Sequence, residues 1–271
     1  MYKILVTNDD GIFGFGIEPL VRAIKDLGQV ITVVPDRERS ALSNSLTLKD
    51  PVRAWKLLSF PMGNGTGISS TKEKFNTYIL TGTPADCVRF GIINLFKNRV
   101  DLVVSGINSG ANLGQDVYYS GTVGAAREAA LMKVTGCAIS LISRTGNNYD
   151  RAAGISRKII KWILKNKLLK GFLLNINIPD LPLSEIKGIS ITRIGTKVYQ
   201  DKITKRVDPY GLPYYWLKGK LLNSRNSPDT DIEAVKNKYI SITPLTLDST
   251  DYSQIENLKT LFRSSEFKIR F

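Results

Sequence analysis

Near its start the chain runs Lys3-Ile4-Leu5-Val6-Thr7-Asn8-Asp9-Asp10-Gly11, an apolar run stopped by two adjacent carboxylates and a glycine. Three apolar residues in succession suit a strand covered on both faces, as strands of a parallel sheet are. Adjacent carboxylates at its end repel each other and lose hydration unless a cation sits between them. Ligands of open α/β sheets bind beyond the carboxyl ends of the strands. Two readings follow: a divalent-metal site on the tip of the first strand, or a ligand-free polar turn of Asn, Asp and Gly.

The next stretches extend the α/β pattern. Ile17, Leu20, Val21, Ile24 and Leu27 recur at helical spacing, with Gly28 as a stop. Val30-Ile31-Thr32-Val33-Val34 then reads as a second strand, ended by Pro35. Strand, helix and strand with short joints make a βαβ unit and imply a parallel sheet. Residues 52–60 and 76–80 read as strands, with a glycine-rich exposed hairpin loop at 62–74. A helix is expected from Pro84, capped by Thr83, to about Phe96. Strands follow at 101–105, 138–142 and 172–178, with an amphipathic helix over 152–169.

Polar clusters leave two more of these strand ends. Asp36-Arg37-Glu38-Arg39-Ser40-Ala41-Leu42-Ser43-Asn44-Ser45 follows the second strand. It can complete an oxygen shell or hold phosphate, or be a solvated helix start capped by Ser40. Gly106-Ile107-Asn108-Ser109-Gly110-Ala111-Asn112-Leu113-Gly114-Gln115-Asp116 follows the strand at 101–105. Tyr119-Ser120-Gly121-Thr122-Val123-Gly124-Ala125-Ala126 then opens a helix to about Met132. A helix N-terminus with hydroxyls is a ready phosphate site. Small residues there also permit ordinary capping and close helix–sheet packing.

Beyond about Leu181 the texture changes. Ile189 to Ile194 alternates like a half-exposed strand. Residues 197–220 carry tyrosine, charge, glycine and proline, and read as a long β arm whose exposed aromatics suit a protein–protein contact. A short helix at 229–235, a strand at 239–245 and a terminal helix at 255–262 complete the expectation. The fold class is therefore α/β, a catalytic domain over 1–180 with a mostly parallel sheet. Residues 181–271 form an elaboration that does not fold independently.

Composition narrows the chemistry. A chain of 271 residues with 42% hydrophobic and 23% charged residues is ordinary for a soluble globular protein. No apolar run reaches the roughly 20 residues of a membrane span, and no secretion signal is evident, so a cytoplasmic protein is expected. Cys87 and Cys137 fall on separate buried elements, as core thiols of a reducing compartment do. The net charge of +14 comes from scattered lysines and implies no stable nucleic-acid partner. Histidine is absent. A Ser-His-Asp hydrolase and a typical zinc hydrolase are thereby excluded. Any metal must be held by oxygen, which favours magnesium or manganese.

The clusters taken together resemble one family. Asn8-Asp9-Asp10-Gly11, Pro35-Asp36-Arg37 with Arg39-Ser40 and Ser43-Asn44-Ser45, Gly82-Thr83-Pro84-Ala85-Asp86-Cys87-Val88, and Ser105-Gly106-Ile107-Asn108 with Tyr119-Ser120-Gly121-Thr122-Val123 resemble the survival protein E (SurE) family of metal-dependent 5'-nucleotidases. Four matches in order are far more specific than one. The resemblance implies a Rossmann-like three-layer fold and one divalent ion per subunit, magnesium or manganese, on Asp9, Asp10, Ser40 and Asn108. It further implies substrate phosphate on Asn112, Ser120, Gly121 and Thr122, with Asn8, Ser43 and Asn44 supporting the pocket. It also implies a C-terminal hairpin arm and terminal helix used to assemble homodimers or homotetramers. Two departures stand out. Phe13-Gly14-Phe15-Gly16 replaces the family's usual Ala-Pro-Gly, a change expected to reshape the nucleoside side without touching a proposed ligand. The 62–74 loop is also longer than is common.

The implied reaction converts a nucleoside 5'-monophosphate, and by extension a 3'-monophosphate, to nucleoside and phosphate. A cation would acidify water and polarise the phosphoryl oxygen, and helix N–H groups would stabilise the developing charge. Without histidine, the proton acceptor is a carboxylate or solvent, with Asp9 the candidate beside Asp10. The rivals are a broad phosphomonoesterase or exopolyphosphatase, and a non-catalytic phosphate- or nucleotide-binding regulator. A haloacid-dehalogenase-type phosphatase needs its two acids one residue apart, whereas Asp9 and Asp10 are adjacent.

Overall fold

The structure, a computed structural model, describes residues 1–57, 75–143, 148–168, 171–222 and 225–264. Nine strands form one sheet: β1 (Tyr2–Thr7), β2 (Gly28–Pro35), β3 (Ala54–Leu57), β4 (Thr77–Leu80), β5 (Leu102–Ser109), β6 (Thr135–Ile142), β7 (Leu173–Pro179), β8 (Gly188–Ile191) and β11 (Tyr239–Leu245). Their order is β3-β4-β2-β1-β5-β6-β7-β11-β8. The run from β4 to β7 is parallel, while β3 and β11 are antiparallel to their neighbours β4 and β7. Among the described residues, β9 (Val198–Val207) and β10 (Pro213–Leu222) pair with each other alone, as the expected hairpin arm. The expected 62–74 loop lies outside the described residues.

Strand β1 shows why the sheet is doubly covered. Ile4 and Val6 join a cluster with α1 (Ile17–Ile24) and α4 (Tyr149–Lys165) on one face. Leu5 joins a cluster with α2 (Pro84–Arg89) and α3 (Gly121–Leu131) on the other. The result is a three-layer α/β sandwich, with helices on both faces of a mostly parallel sheet. Chain order leaves β1 for β2 on one side and later returns to β5 on the other, so the sheet's switch point lies between β1 and β5. Among the described residues the C-terminal part also carries α5 (Asp231–Lys236) and α6 (Tyr252–Ser264). Among the described residues, no helix is long and apolar enough to cross a membrane.

Three local expectations are corrected. Helix α2 is capped by Thr83 and Asp86 as a capping box, but α-geometry stops at Arg89 and a π-helical segment, Phe90–Leu95, carries the chain on. Gly28 is the first residue of β2, not a helix stop. A side chain there would meet the Tyr2 carbonyl oxygen at 2.3 Å, so the strand start needs a glycine for close approach. No helix follows Ser40. Ala41 and Ser43 take φ of 59° and 52°, and Ser43 is tied through its N–H to the Tyr119 carbonyl and through its hydroxyl to the Tyr118 carbonyl.

Candidate active site

At the switch point the ends of β1 and β5 and the loops after β1, β2 and β5 enclose a cavity of about 830 Å³. Its lining includes Asp9, Asp10, Ser40, Asn108, Asn112 and Ser120, all expected from the sequence. It also includes Phe13 and Phe15, from the segment expected to shape the nucleoside side, and Glu38, Asp116 and Tyr119, which belong to the expected polar clusters but were given no role of their own. These arrive from loops, where no periodicity announces which side chain faces inward.

Asp9 is buried over the start of α3. Its Oδ1 accepts a hydrogen bond from the Thr122 hydroxyl, and its own carbonyl accepts from the Arg39 N–H at 2.7 Å. Burial pushes the Asp9 carboxyl above the usual range, against the lowering pull of the Thr122 hydroxyl. Asp10 is pushed up to about 7, first by burial and then by the neighbouring Asp9 charge. Asp10 Oδ2 is buried with no hydrogen-bond partner among the described residues.

The neutral candidates are oriented by their own hydrogen bonds. The Asn108 amide nitrogen donates to the Gly110 carbonyl at 3.0 Å, leaving Oδ1 as its other polar atom. A register shift between β5 and β6 at this point re-aims the end of β5. The Ser40 hydroxyl donates to Glu38 at 2.7 Å and keeps acceptor capacity at the cavity. Two close, partly orphaned carboxylates with a hydroxyl and an amide oxygen fit a hard divalent cation. Among the described residues, no three His, Cys, Asp or Glu side chains cluster, so such an ion relies on these neutral oxygens.

The expected phosphate residues divide. Ser120 caps α3, accepting from the Val123 N–H at 3.1 Å, and lines the cavity. Asn112 is locked by β6 and β7: its N–H donates to Asn177 at 2.9 Å, its side-chain amide to Ser140 at 2.8 Å, and its carbonyl accepts from Asn175 at 2.7 Å. Thr122 is fully buried, and its hydroxyl goes to Asp9, not to open space. Gly121 lies so close to Asp9 that a Cβ would sit 2.8 Å from the Asp9 Cβ.

Asn8, Ser43 and Asn44 do not line the cavity. Asn8 pins the loop after β1 by donating to the Gly11 carbonyl at 2.9 Å. Asn44 donates to the buried Glu128 of α3 at 3.1 Å. Close packing accounts for the small residues further along α3, since a Cβ on Gly124 would meet the Ser43 carbonyl oxygen at 2.0 Å. The phenylalanine segment does touch an expected ligand: a Cβ on Gly14 would lie 2.6 Å from the Asp10 Cβ.

Fold and site together define a Rossmann-like α/β protein with an oxygen-lined acidic site at the sheet's switch point. Residues 4–201 match the family described as Survival protein SurE. The chain is 42% identical over 259 residues to a protein of Geobacter metallireducens named 5'-nucleotidase SurE, covering 95% of this chain and 96% of that one. It is 42% identical over 268 residues to a protein of the same name from Carboxydothermus hydrogenoformans, covering 97% of each. The crystal structure of the SurE protein from Aquifex aeolicus superposes with a TM-score of 0.77 at 38% identity, covering 96% of this chain and 99% of that one. The chain belongs to the SurE family.

Proposed function

We infer that this protein is a 5'-nucleotidase, hydrolysing nucleoside monophosphates to nucleoside and phosphate. The observation that carries the reading is the Asp9–Asp10 pair lining the switch-point cavity, Asp9 buried and Asp10 half-buried with Oδ2 lacking a hydrogen-bond partner among the described residues. Near-full-length likeness to proteins named 5'-nucleotidase SurE supports it.

Asp9, Asp10, Ser40 and Asn108 would hold one magnesium or manganese ion. Such an ion supplies Lewis acidity at the phosphoryl oxygen and lowers the pKa of a water. Ser120 and the N-terminal amides of α3 orient the phosphate, helped by Asn112. Thr122 positions Asp9 instead of touching phosphate. Asp9 Oδ2, the oxygen not taken by Thr122, accepts the proton from the attacking water.

We further propose a homo-oligomer, dimer or tetramer, in the cytoplasm. The arm supports assembly, since Tyr214, Tyr215, Trp216 and Leu217 of β10 are all exposed. Two free, buried cysteines suit a reducing compartment. On this reading residues 181–271 remain an elaboration of the catalytic unit, with β8 and β11 extending the same sheet.

The test is phosphate release from 5'-AMP and 3'-AMP, with manganese or with chelator, for wild type and Asp9→Asn. Metal-dependent release abolished by the substitution is expected. Release from neither substrate by folded protein overturns the nucleotidase reading in favour of a phosphate-binding regulator.

A further inference from the structure

One wall of the cavity is aromatic and faces outward. Phe13 and Phe15 are 67% and 61% exposed, yet both line the cavity that holds Asp9 and Asp10. A lone exposed phenylalanine needs no explanation. These two flank Gly14, where a Cβ would lie 2.6 Å from the Asp10 Cβ, so the segment that carries both rings packs against Asp10.

Phe15 is also braced. Its ring lies against Tyr149 with centroids 6.4 Å apart and planes at 26°. Tyr149 is itself buried at the start of α4. One side of Phe15 is therefore backed by a fixed ring, and the exposed remainder faces the cavity and solvent. A ring held in place before the ligand arrives loses little freedom on binding. Phosphate and sugar have no flat apolar face to offer such a surface. A nucleobase does, and stacks on an aromatic side chain in a way that tolerates base identity.

We propose that Phe15, with Phe13 beside it, is the base-stacking platform of this site and sets a preference for purine nucleoside monophosphates over phosphomonoesters that lack a base. The proposal rests on the nucleotidase reading above. It gives the segment after β1 two tasks, with Asp9 and Asp10 at the phosphate and Phe15 at the base. Purines come first because they present the larger π surface.

The experiment compares kcat/KM for 5'-AMP, 5'-UMP and ribose 5-phosphate in wild type, Phe15→Ala and Phe15→Trp with manganese. Alongside it, binding of adenosine to the same proteins is measured by calorimetry. Adenosine carries no phosphate to release, so that arm reads stacking whether or not the protein turns over. The expected result is a roughly ten-fold fall in the AMP to ribose 5-phosphate ratio for Phe15→Ala, carried mainly by KM. Phe15→Trp should restore the ratio, the loss on UMP should be smaller than on AMP, and adenosine binding should weaken in parallel. A ratio unchanged in Phe15→Ala overturns the proposal. So does an equal loss on AMP and ribose 5-phosphate that Phe15→Trp leaves in place. If wild type releases phosphate from none of the substrates, the nucleotidase reading fails by itself. Adenosine binding then decides the platform: weakening in Phe15→Ala supports it, and undiminished binding sinks it.

Discussion

The Thr122 hydroxyl donates to Asp9 Oδ1, joining the first turn of α3 to the tip of β1 across 113 residues of chain. Asp9 is 4% exposed and Thr122 fully buried, so few groups can replace the bond. A hydrogen bond to a charged group contributes about 1.5–3 kcal/mol, and removing the partner of a metal-binding side chain typically costs about 10–100-fold in affinity or activity. Thr122→Val keeps the shape and deletes the donor. Manganese titration of activity should therefore show about 10-fold weaker activation in Thr122→Val and near-normal activation in Thr122→Ser. Equal titrations for Thr122→Val and wild type would remove Thr122 from the site's support.

The Asp10 carboxyl supplies a pH test. Its folded value of about 7 stands above its ordinary 3.8, chiefly through burial and then through the Asp9 charge. Between those values the folded protein keeps a proton that the unfolded chain has lost. Stability of the metal-free protein therefore falls as pH rises through that window and levels off above it. Cation binding needs the carboxylate, so the stabilisation given by manganese grows over the same range. Melting curves with and without saturating manganese, at about pH 5 and about pH 8, should show the larger shift at the higher pH. Equal shifts at both would separate Asp10 from the metal.

Glu128 carries a structural charge. Its side chain is 1% exposed and meets the Arg89 Nε at 2.6 Å, while Arg89 itself is 48% exposed. The same carboxylate holds Asn44 of the loop after β2. Arg89→Ala leaves a buried carboxylate without its cation, and about 2–3 kcal/mol of stability should be lost, less than for a fully buried pair because Arg89 is half solvated. Glu128→Gln should cost less, since it leaves no unpaired charge buried and its one carbonyl oxygen can still accept from one of the two donors. Urea unfolding distinguishes them; the reverse order would mean that the pair is not what holds α2 and α3 together.

The sequence carried the frame and part of the site, for different physical reasons. Continuous apolar runs at Ile4-Leu5-Val6 and Leu102-Val103-Val104 announce strands covered on both faces, and burial of all six side chains agrees. The polar residues at the ends of those strands must then share one sheet edge, which is why Asp9, Asp10, Asn108 and Ser120 were legible together. Pairing across that edge was not. Nothing local says that Thr122 faces Asp9 instead of the cavity, or that Gly14 abuts Asp10. The π-helical continuation at Phe90 was equally hidden, because an α-helix and its π-bulged form share one apolar pattern.

The arm and the site share a carboxylate, which leads to the last prediction. Asp116 lines the cavity. Its Oδ2 accepts from the Lys197 ammonium, and its Oδ1 from the Tyr199 hydroxyl at 3.0 Å. The Lys197 N–H donates to Gln115 at 2.7 Å, and buried Asp231 accepts from the N–H groups of both Gly114 and Gly195, at 2.9 and 2.8 Å. The foot of the hairpin is thus stitched to the segment Gly114–Tyr118 that forms the lip of the cavity. The Tyr199 phenol is pushed up to about 12, first by burial and then by the Asp116 charge, so it stays a donor at all working pH. Lys197→Met removes the cation and keeps most of the stem. It should lower kcat/KM roughly five-fold, about the worth of one partly exposed charged hydrogen bond. Tyr199→Phe should give a smaller loss, and the elution volume in size-exclusion chromatography should stay at the wild-type value for both. Wild-type activity in both variants would show that the lip holds its shape without the arm. A change in elution volume alongside lost activity would show that Lys197 acts through assembly and not through Asp116.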